Sequence, residues 1–494
     1  MQLTLEVDWL LLVGAVLALS AILVSGLVTR FSGRLQIPGA LLFLGLGMLF
    51  GDDGLALIRL DDPQLVQNLS VVALLFILLE GGMTTKPTDL RLAALPGLLL
   101  ATVGVLLTAG VTALGVWLLL DVDPLTAALI GAVVGSTDAA AVFAMMRTTP
   151  LPRRVAALLR VESGSNDPIA VMLTVGLLAT FTQRPSAGQW AVFALVQLLG
   201  GAAIGGAVGL AVVGVLRRVE LGIEGLYPIT IAAVGALAYG LAAGTGASGF
   251  VAVYVTGALV GALLPRRRRV ILGFHEAFAN AAEIGLFLLL GLLVFPSDLP
   301  AVALPALLVA AILTLVARPL AVRLCTLGQG YSWRESTVLS LGGLKGAVPI
   351  VLATFPLTAG IEDADLVFNV VFFVVLVSVL VQGSTLLPAV ELLGFRTFPP
   401  SWAPVAQALP IEGIEVDLIE LQVTEDLAIV NRRLGDVPTP PGTVITAVIR
   451  RDRVIVPDGR TRLEAGDVLL VTVQSGEQAP RRMTAWARAE PWSG

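Results

Sequence analysis

Apolar runs, each cut short by a few polar residues, fill the first 395 positions of the chain. Thirteen of them can be read, at 9–29, 36–50, 64–82, 92–120, 124–147, 155–182, 189–216, 226–243, 247–264, 271–295, 300–325, 334–357 and 364–391. Many reach the roughly 20 residues that a helix needs to cross a bilayer core. Only short polar loops separate them, which predicts an all-α, polytopic membrane bundle of about 13 helices. The first run has no basic leader and continues too long for a cleavable signal, so it is expected to stay as the first crossing.

After residue 395 the pattern changes. A proline-rich stretch, 396–410, reads as a linker. "IEVDLIELQV" alternates like a strand, "EDLAIVNRRLGDV" reads as a helix, and "TVITAVIRR", "RVIVPDG" and "DVLLVTVQ" read as further strands. This predicts a small α+β domain over 411–476, followed by a basic, disordered end at 477–494.

Composition agrees with the membrane assignment. The 494 residues are 56% hydrophobic and 14% charged, against about 25% charged in soluble domains. The placement of charge says more than its sum. Sixteen Lys and Arg residues fall in, or at the segment ends flanking, the loops that follow odd-numbered segments, and only Arg59 and Arg184 in the others. By the positive-inside rule, the N-terminus is expected outside (periplasmic) and the C-terminal domain in the cytoplasm. The lone cysteine, Cys325, excludes an intrachain disulfide framework. The lone histidine, His275, is expected at the membrane interface.

Charges inside the apolar segments carry the functional signal, because ionisable groups at membrane depth mark ion or proton paths. They are Asp138, Glu162, Asp167, Glu283, Arg318 and Lys345, with Glu80 near the end of segment 3 as a candidate ion-pathway residue. Segment 5 is interrupted at "GSTDAAA" and segment 12 at "LGGLKGAVPI". With the N-terminus outside, these two run in opposite directions, as an inverted repeat of segments 4–6 and 11–13 requires. Paired interruptions of this kind predict two broken helices crossing near the midplane.

Each charge has an expected role. Asp138 should compensate N–H groups exposed where segment 5 unwinds, and is placed to hold a water on a bound ion. Lys345 should compensate carbonyls exposed in segment 12. Asp167, between Asn166 and Pro168, is the candidate for the group that trades a proton for a bare monovalent cation, which prefers oxygen ligands. Ser163, one turn earlier, can add an oxygen on the same face. Glu162 is expected to pair with Arg318.

Together, "GSTDAAAVFAMMR", "ESGSNDPIAV" and "GGLKGAVPI" resemble the monovalent cation:proton antiporter-1 family, in order and spacing over residues 1–395. The resemblance implies a thirteen-span, dimeric antiporter in the bacterial inner membrane, with a core domain moving against a dimerisation domain. It implies ion binding at Asp167 beside Asn166, a threonine–aspartate pair at Thr137 and Asp138, a helix-start serine at Ser163, and a stabilising pair at Glu162 and Arg318. Lys345 departs from the arginine common in the family's late "GGLRG" pattern. Asn166 resembles the electroneutral branch, which implies one cation exchanged per proton.

The C-terminal part resembles a TrkA-C regulatory domain, which implies a small cytoplasmic ligand, a nucleotide among the candidates. A dimerisation tail that binds nothing is the other reading. That resemblance, with "SGSNDP", leans the transported ion towards K+, while Na+ would meet the same oxygen ligands. No cofactor and no nucleic-acid partner are expected. A potassium channel would need a T-V-G-Y-G-type filter, and an enzyme a nucleophile elbow or an H-E-x-x-H motif; the sequence contains none of these.

Overall fold

The computed structural model describes residues 39–58, 60, 62–85, 87–138, 142, 151–264, 268–395, 405–411, 416–425, 427–450, 453–474, 483 and 485–488. The first predicted segment, 9–29, lies outside them. The chain divides into a helical unit ending at Phe395 and a C-terminal unit from Arg396 onward.

The helical unit comprises α1 (Gly39–Phe50), α2 (Pro63–Thr84), α3 (Pro87–Leu99), α4 (Val105–Leu119), α5 (Pro124–Val133), α6 (Arg153–Gln183), α7 (Ala187–Leu195), α8 (Gly201–Arg218), α9 (Leu226–Gly244), α10 (Gly249–Leu263), α11 (Arg268–Leu293), α12 (Leu299–Ile312), α13 (Arg318–Cys325), α14 (Trp333–Leu341), α15 (Ala347–Ala359), α16 (Ala364–Val377) and α17 (Gly383–Leu392). Seven continuous helices among the described residues are long and apolar enough to cross a membrane. Single π-helical turns join α3 to α4, α7 to α8, α12 to α13 and α16 to α17, and α3 is itself kinked at Ala93, where the backbone leaves the helical region (φ −127°, ψ 17°).

Local chemistry sets the helix starts. Asp62 caps α2 by accepting from the Gln64 and Leu65 amides, with Pro63 in the first turn. Asp123 does the same for α5, ahead of Pro124. Both carboxylates thus offset the orphan N–H groups of a helix start. Ser186 with Gln189, and Ser332 with Glu335, form capping boxes at α7 and α14.

Two packing styles are visible. In one group of helices, backbones touch directly across glycines: Gly82 on α2 faces the Tyr254 carbonyl of α10, Gly205 on α8 faces Ala252 of α10, and Gly47 on α1 faces Leu288 of α11. A side chain at any of these positions would collide with backbone, so α1, α2, α8, α10 and α11 form a stiff scaffold. The other group, α3–α6 with α12–α17, has one such contact, Gly131 on α5 against the Ala109 carbonyl of α4, and centres on a polar cluster where α5, α6, α14 and α15 meet. Its halves repeat one another: α13 packs on the π turn after α3, and α4 packs on the π turn after α12.

His275 is fully buried among its neighbours in the second turn of α11 and bonds the Ile271 carbonyl through Nδ1.

The C-terminal unit is a five-stranded antiparallel sheet in the order β1-β2-β5-β3-β4: β1 (Val405–Ile411), β2 (Val416–Gln422), β3 (Thr443–Arg450), β4 (Arg453–Ile455) and β5 (Val468–Gln474). It differs from the sequence expectation in three respects. Strand β1 occupies part of the stretch expected as linker. No regular α-helix forms over "EDLAIVNRRLGDV" among the described residues. There, backbone groups bond sideways instead, Asn431 N–H to Leu463 and Leu434 N–H to Thr461, and Asn431 takes a left-handed φ of 61°, which leaves only a 3-10 turn at Leu434–Asp436. Finally, the basic end is partly ordered: Met483, Trp486 and Ala487 are buried in the domain core, and the Trp486 indole donates to the Pro438 carbonyl at 2.9 Å.

Candidate functional site

Helix α5 stops at Val133, and residues 134–138 run unwound; the rest of segment 5, Val142 apart, lies outside the described residues. Helix α14 stops at Leu341, and residues 342–346 are unwound before α15 begins. The two breaks meet. The Asp138 amide donates to the Leu344 carbonyl at 2.8 Å, a bond between the two unwound strands.

The charge on the second break serves the opposite helix, a correction to the role expected for Lys345, while the N–H groups expected to face Asp138 in segment 5 lie outside the described residues. Lys345, from the second break, donates through Nζ to the Ser136 carbonyl of the first at 2.8 Å. It therefore neutralises the carbonyl end of α5 and not of its own segment. Asp138 in turn lies against Gly346, the residue before α15, where an added Cβ would fall 2.5 Å from its carboxylate oxygen. A carboxylate at that end meets the positive pole of α15. Glycine is required at 346 because any side chain would occupy the carboxylate's place.

Helix α6 holds the first break from the side. Ser163 donates to the Thr137 carbonyl at 2.9 Å, and the Asn166 amide donates to the Thr137 hydroxyl at 2.6 Å. Thr137, Asp138, Ser163 and Asn166 thus come together as the sequence suggested. Ser163 uses its proton to fix the unwound strand.

Asp167 completes the constellation. The charges acting on it are Asp138 and Lys345, and the Ser136 side chain lies beside it. Pro168 comes next inside α6 and offers no N–H to the Gly164 carbonyl one turn back. In this centre Asn166 Oδ1 is buried without a hydrogen-bond partner among the described residues, and Ser136 Oγ is buried with the Asp167 carboxylate beside it. Buried polar atoms are ordinarily paired, so Asn166 Oδ1 is an oxygen donor suited to a dehydrated cation, with Ser136 Oγ a second at the carboxylate. Ser136 was missed in the sequence, although it stands within the quoted "GSTD".

Glu162 and Arg318 sit behind the site. They form a bidentate pair with side chains 1% and 4% exposed. Gly343 makes room for the guanidinium, since a Cβ there would collide with Arg318 Nε. The π turn Ser378–Gln382 supports the second break, with Ser378 Oγ accepting from the Lys345 amide at 3.2 Å while bonding Gln382. Glu80 on α2 is outside this hydrogen-bonded core. It is half-buried and interacts with Glu276 and Glu283 of α11, and Glu283 interacts in turn with Asp138.

Comparison with known proteins gives a consistent class. The family model for the transmembrane sodium/hydrogen exchanger matches residues 18–392, and that for the TrkA-C domain matches 418–479. The K(+)/H(+) antiporter NhaP2 of Shewanella sp. (strain MR-4) is 40% identical over 473 residues, spanning 94% of this chain and 81% of the relative. The K(+)/H(+) antiporter NhaP of Alkalimonas amylolytica is 36% identical over 487 residues, 94% of this chain and 83% of the relative. The Na(+)/H(+) antiporter NhaS2 of Synechocystis sp. is 29% identical over 337 residues, 66% and 61% of the two chains. Among solved structures, the sodium proton antiporter MjNhaP1 of Methanocaldococcus jannaschii at pH 8 superposes with a TM-score of 0.67 and 25% identity, over 78% of this chain and 100% of that one.

Proposed function

The chain belongs to the transmembrane sodium/hydrogen exchanger family and is a cation/proton antiporter, and we propose that it exchanges K+ for H+ at Asp167 by alternating access. The observation that carries this is a pair of buried oxygens, Ser136 Oγ next to the carboxylate of Asp167 and Asn166 Oδ1, which has no hydrogen-bond partner among the described residues. A cation bound there has a neutralising carboxylate and neutral oxygens, the donor set of hard monovalent ions. A proton on Asp167 removes the charge that holds the cation, so the two substrates compete for one group. Asn166 before Asp167 resembles the electroneutral branch of the family, so in this reading one cation is exchanged per proton. Thr137, Asp138 and Ser163 shape the site, Glu162 and Arg318 support it, and Glu80 lies on the way in.

K+ is favoured over Na+ by sequence identity: the two relatives named for K+ are 36–40% identical over 94% of the chain, while NhaS2, named for Na+, is 29% identical over 66% and the solved sodium proton antiporter 25% over 78%. In this reading the protein is a homodimer in the bacterial inner membrane, with its N-terminus periplasmic and its sheet domain cytoplasmic. That domain regulates exchange through a small ligand, as other TrkA-C domains suggest.

The test is proton flux in everted vesicles from a host without its own antiporters, followed with a pH-sensitive dye. K+ should dissipate the gradient for the wild type and not for Asp167→Ala. A response to Na+ alone would reverse the ion assignment, and a response to K+ that survives in Asp167→Ala would overturn the site.

A further inference from the structure

We propose that Gly164 and Tyr254 form the sliding contact between the ion-binding helix and the glycine-packed scaffold, and that the space left by the missing side chain at 164 sets the exchange rate; this rests on alternating access at Asp167. Gly164 lies in the middle of α6, three residues before Asp167. Glycine there weakens the helix relative to alanine, so its presence calls for a reason. The reason is on α10. A Cβ at 164 would fall 2.7 Å from the Tyr254 hydroxyl oxygen and 2.9 Å from the ring carbon Cε2.

Tyr254 cannot readily retreat. Its hydroxyl is 3.2 Å from Thr85 Oγ1, which is itself anchored on the Gly81 carbonyl at 2.7 Å. Its backbone is pressed against Gly82, where a Cβ would collide with the Tyr254 carbonyl. The ring is thus part of the scaffold. Helix α6, in contrast, packs mainly on α3 and α5, and touches α2 and α10 only sparsely.

An aromatic ring facing a glycine presents no knob and no hole. Helix α6 can therefore shift along the ring without climbing over a side chain, one turn from the ion-binding carboxylate. Tyr254 acts here as a positioning residue: it touches no substrate, and its effect is on the movement that carries the site from one side to the other.

The experiment compares K+-driven proton flux of wild type, Gly164→Ala, Tyr254→Trp and the double variant Gly164→Ala/Tyr254→Ala in everted vesicles, normalised to the amount of inserted protein. Overpacking a tight contact should lower the maximal rate of Gly164→Ala about tenfold or more, with the half-saturating K+ concentration changed less than about threefold. Tyr254→Trp, which leaves α6 untouched, should slow exchange in the same way. The double variant should recover most of the rate, as coupled contacts do. A wild-type rate for Gly164→Ala or Tyr254→Trp, or a double variant as slow as Gly164→Ala alone, would overturn the proposal. Silence of the wild type itself would instead refute the antiporter reading on which the proposal rests.

Discussion

The ammonium of Lys345 lies 2.8 Å from the carbonyl oxygen of Ser136, so the charge borne by one broken helix closes the exposed end of the other. Asp138 reciprocates at Gly346. Each break is therefore stable only in the presence of its partner, which explains how so much irregular backbone is tolerated at membrane depth.

Lys345→Met keeps much of the volume and removes the charge. It leaves the Ser136 carbonyl buried without a donor, a loss of about 1–3 kcal/mol. The variant should show a lower midpoint of thermal unfolding in detergent and no exchange in vesicles. A wild-type midpoint would show that the α5 terminus is satisfied in some other way.

Gly346→Ala tests the reciprocal contact. The new methyl would fall 2.5 Å from the Asp138 carboxylate, displacing it from the start of α15. Exchange should drop about tenfold or more, while Gly360→Ala, in a left-handed turn with open space around it, should affect stability and not cation affinity.

Glu162→Ala would strand Arg318 in the interior, at a cost of about 3–5 kcal/mol. The variant should accumulate poorly and run as aggregate on fluorescence-detected size exclusion. The double variant Glu162→Gln/Arg318→Met, which leaves no lone charge, should recover a monodisperse peak. If Glu162→Ala were stable and merely transport-dead, the pair would belong to the transport site.

In the C-terminal domain, Trp486→Ala removes a side chain 2% exposed, which costs about 3–5 kcal/mol in a packed core. Limited proteolysis of the full-length protein should then cut within 405–488 at protease levels that leave the wild-type domain intact.

The alternation of apolar runs, the two glycine-rich interruptions and the Glu162–Arg318 pairing were legible from spacing and from the cost of lone charges in hydrocarbon. The partner of Lys345 was not, because Ser136 lies 209 residues away and the local argument assigned the lysine to its own helix. Ser136 itself was hidden by being ordinary: a serine becomes a candidate ligand only when its hydroxyl is found buried beside the carboxylate. In the C-terminal domain, helical periodicity over 425–437 lost to lateral backbone bonds with 461–463. The basic charges near the end masked the apolar triplet Met483, Trp486 and Ala487 that closes the core.

The most direct test of competition at Asp167 is proton release by the purified protein in weakly buffered detergent solution. Adding K+ at a pH where exchange is half-maximal should acidify the wild-type sample, and the Asp167→Asn variant should release nothing. Equal release by Asp167→Asn would contradict a shared site for cation and proton at this carboxylate.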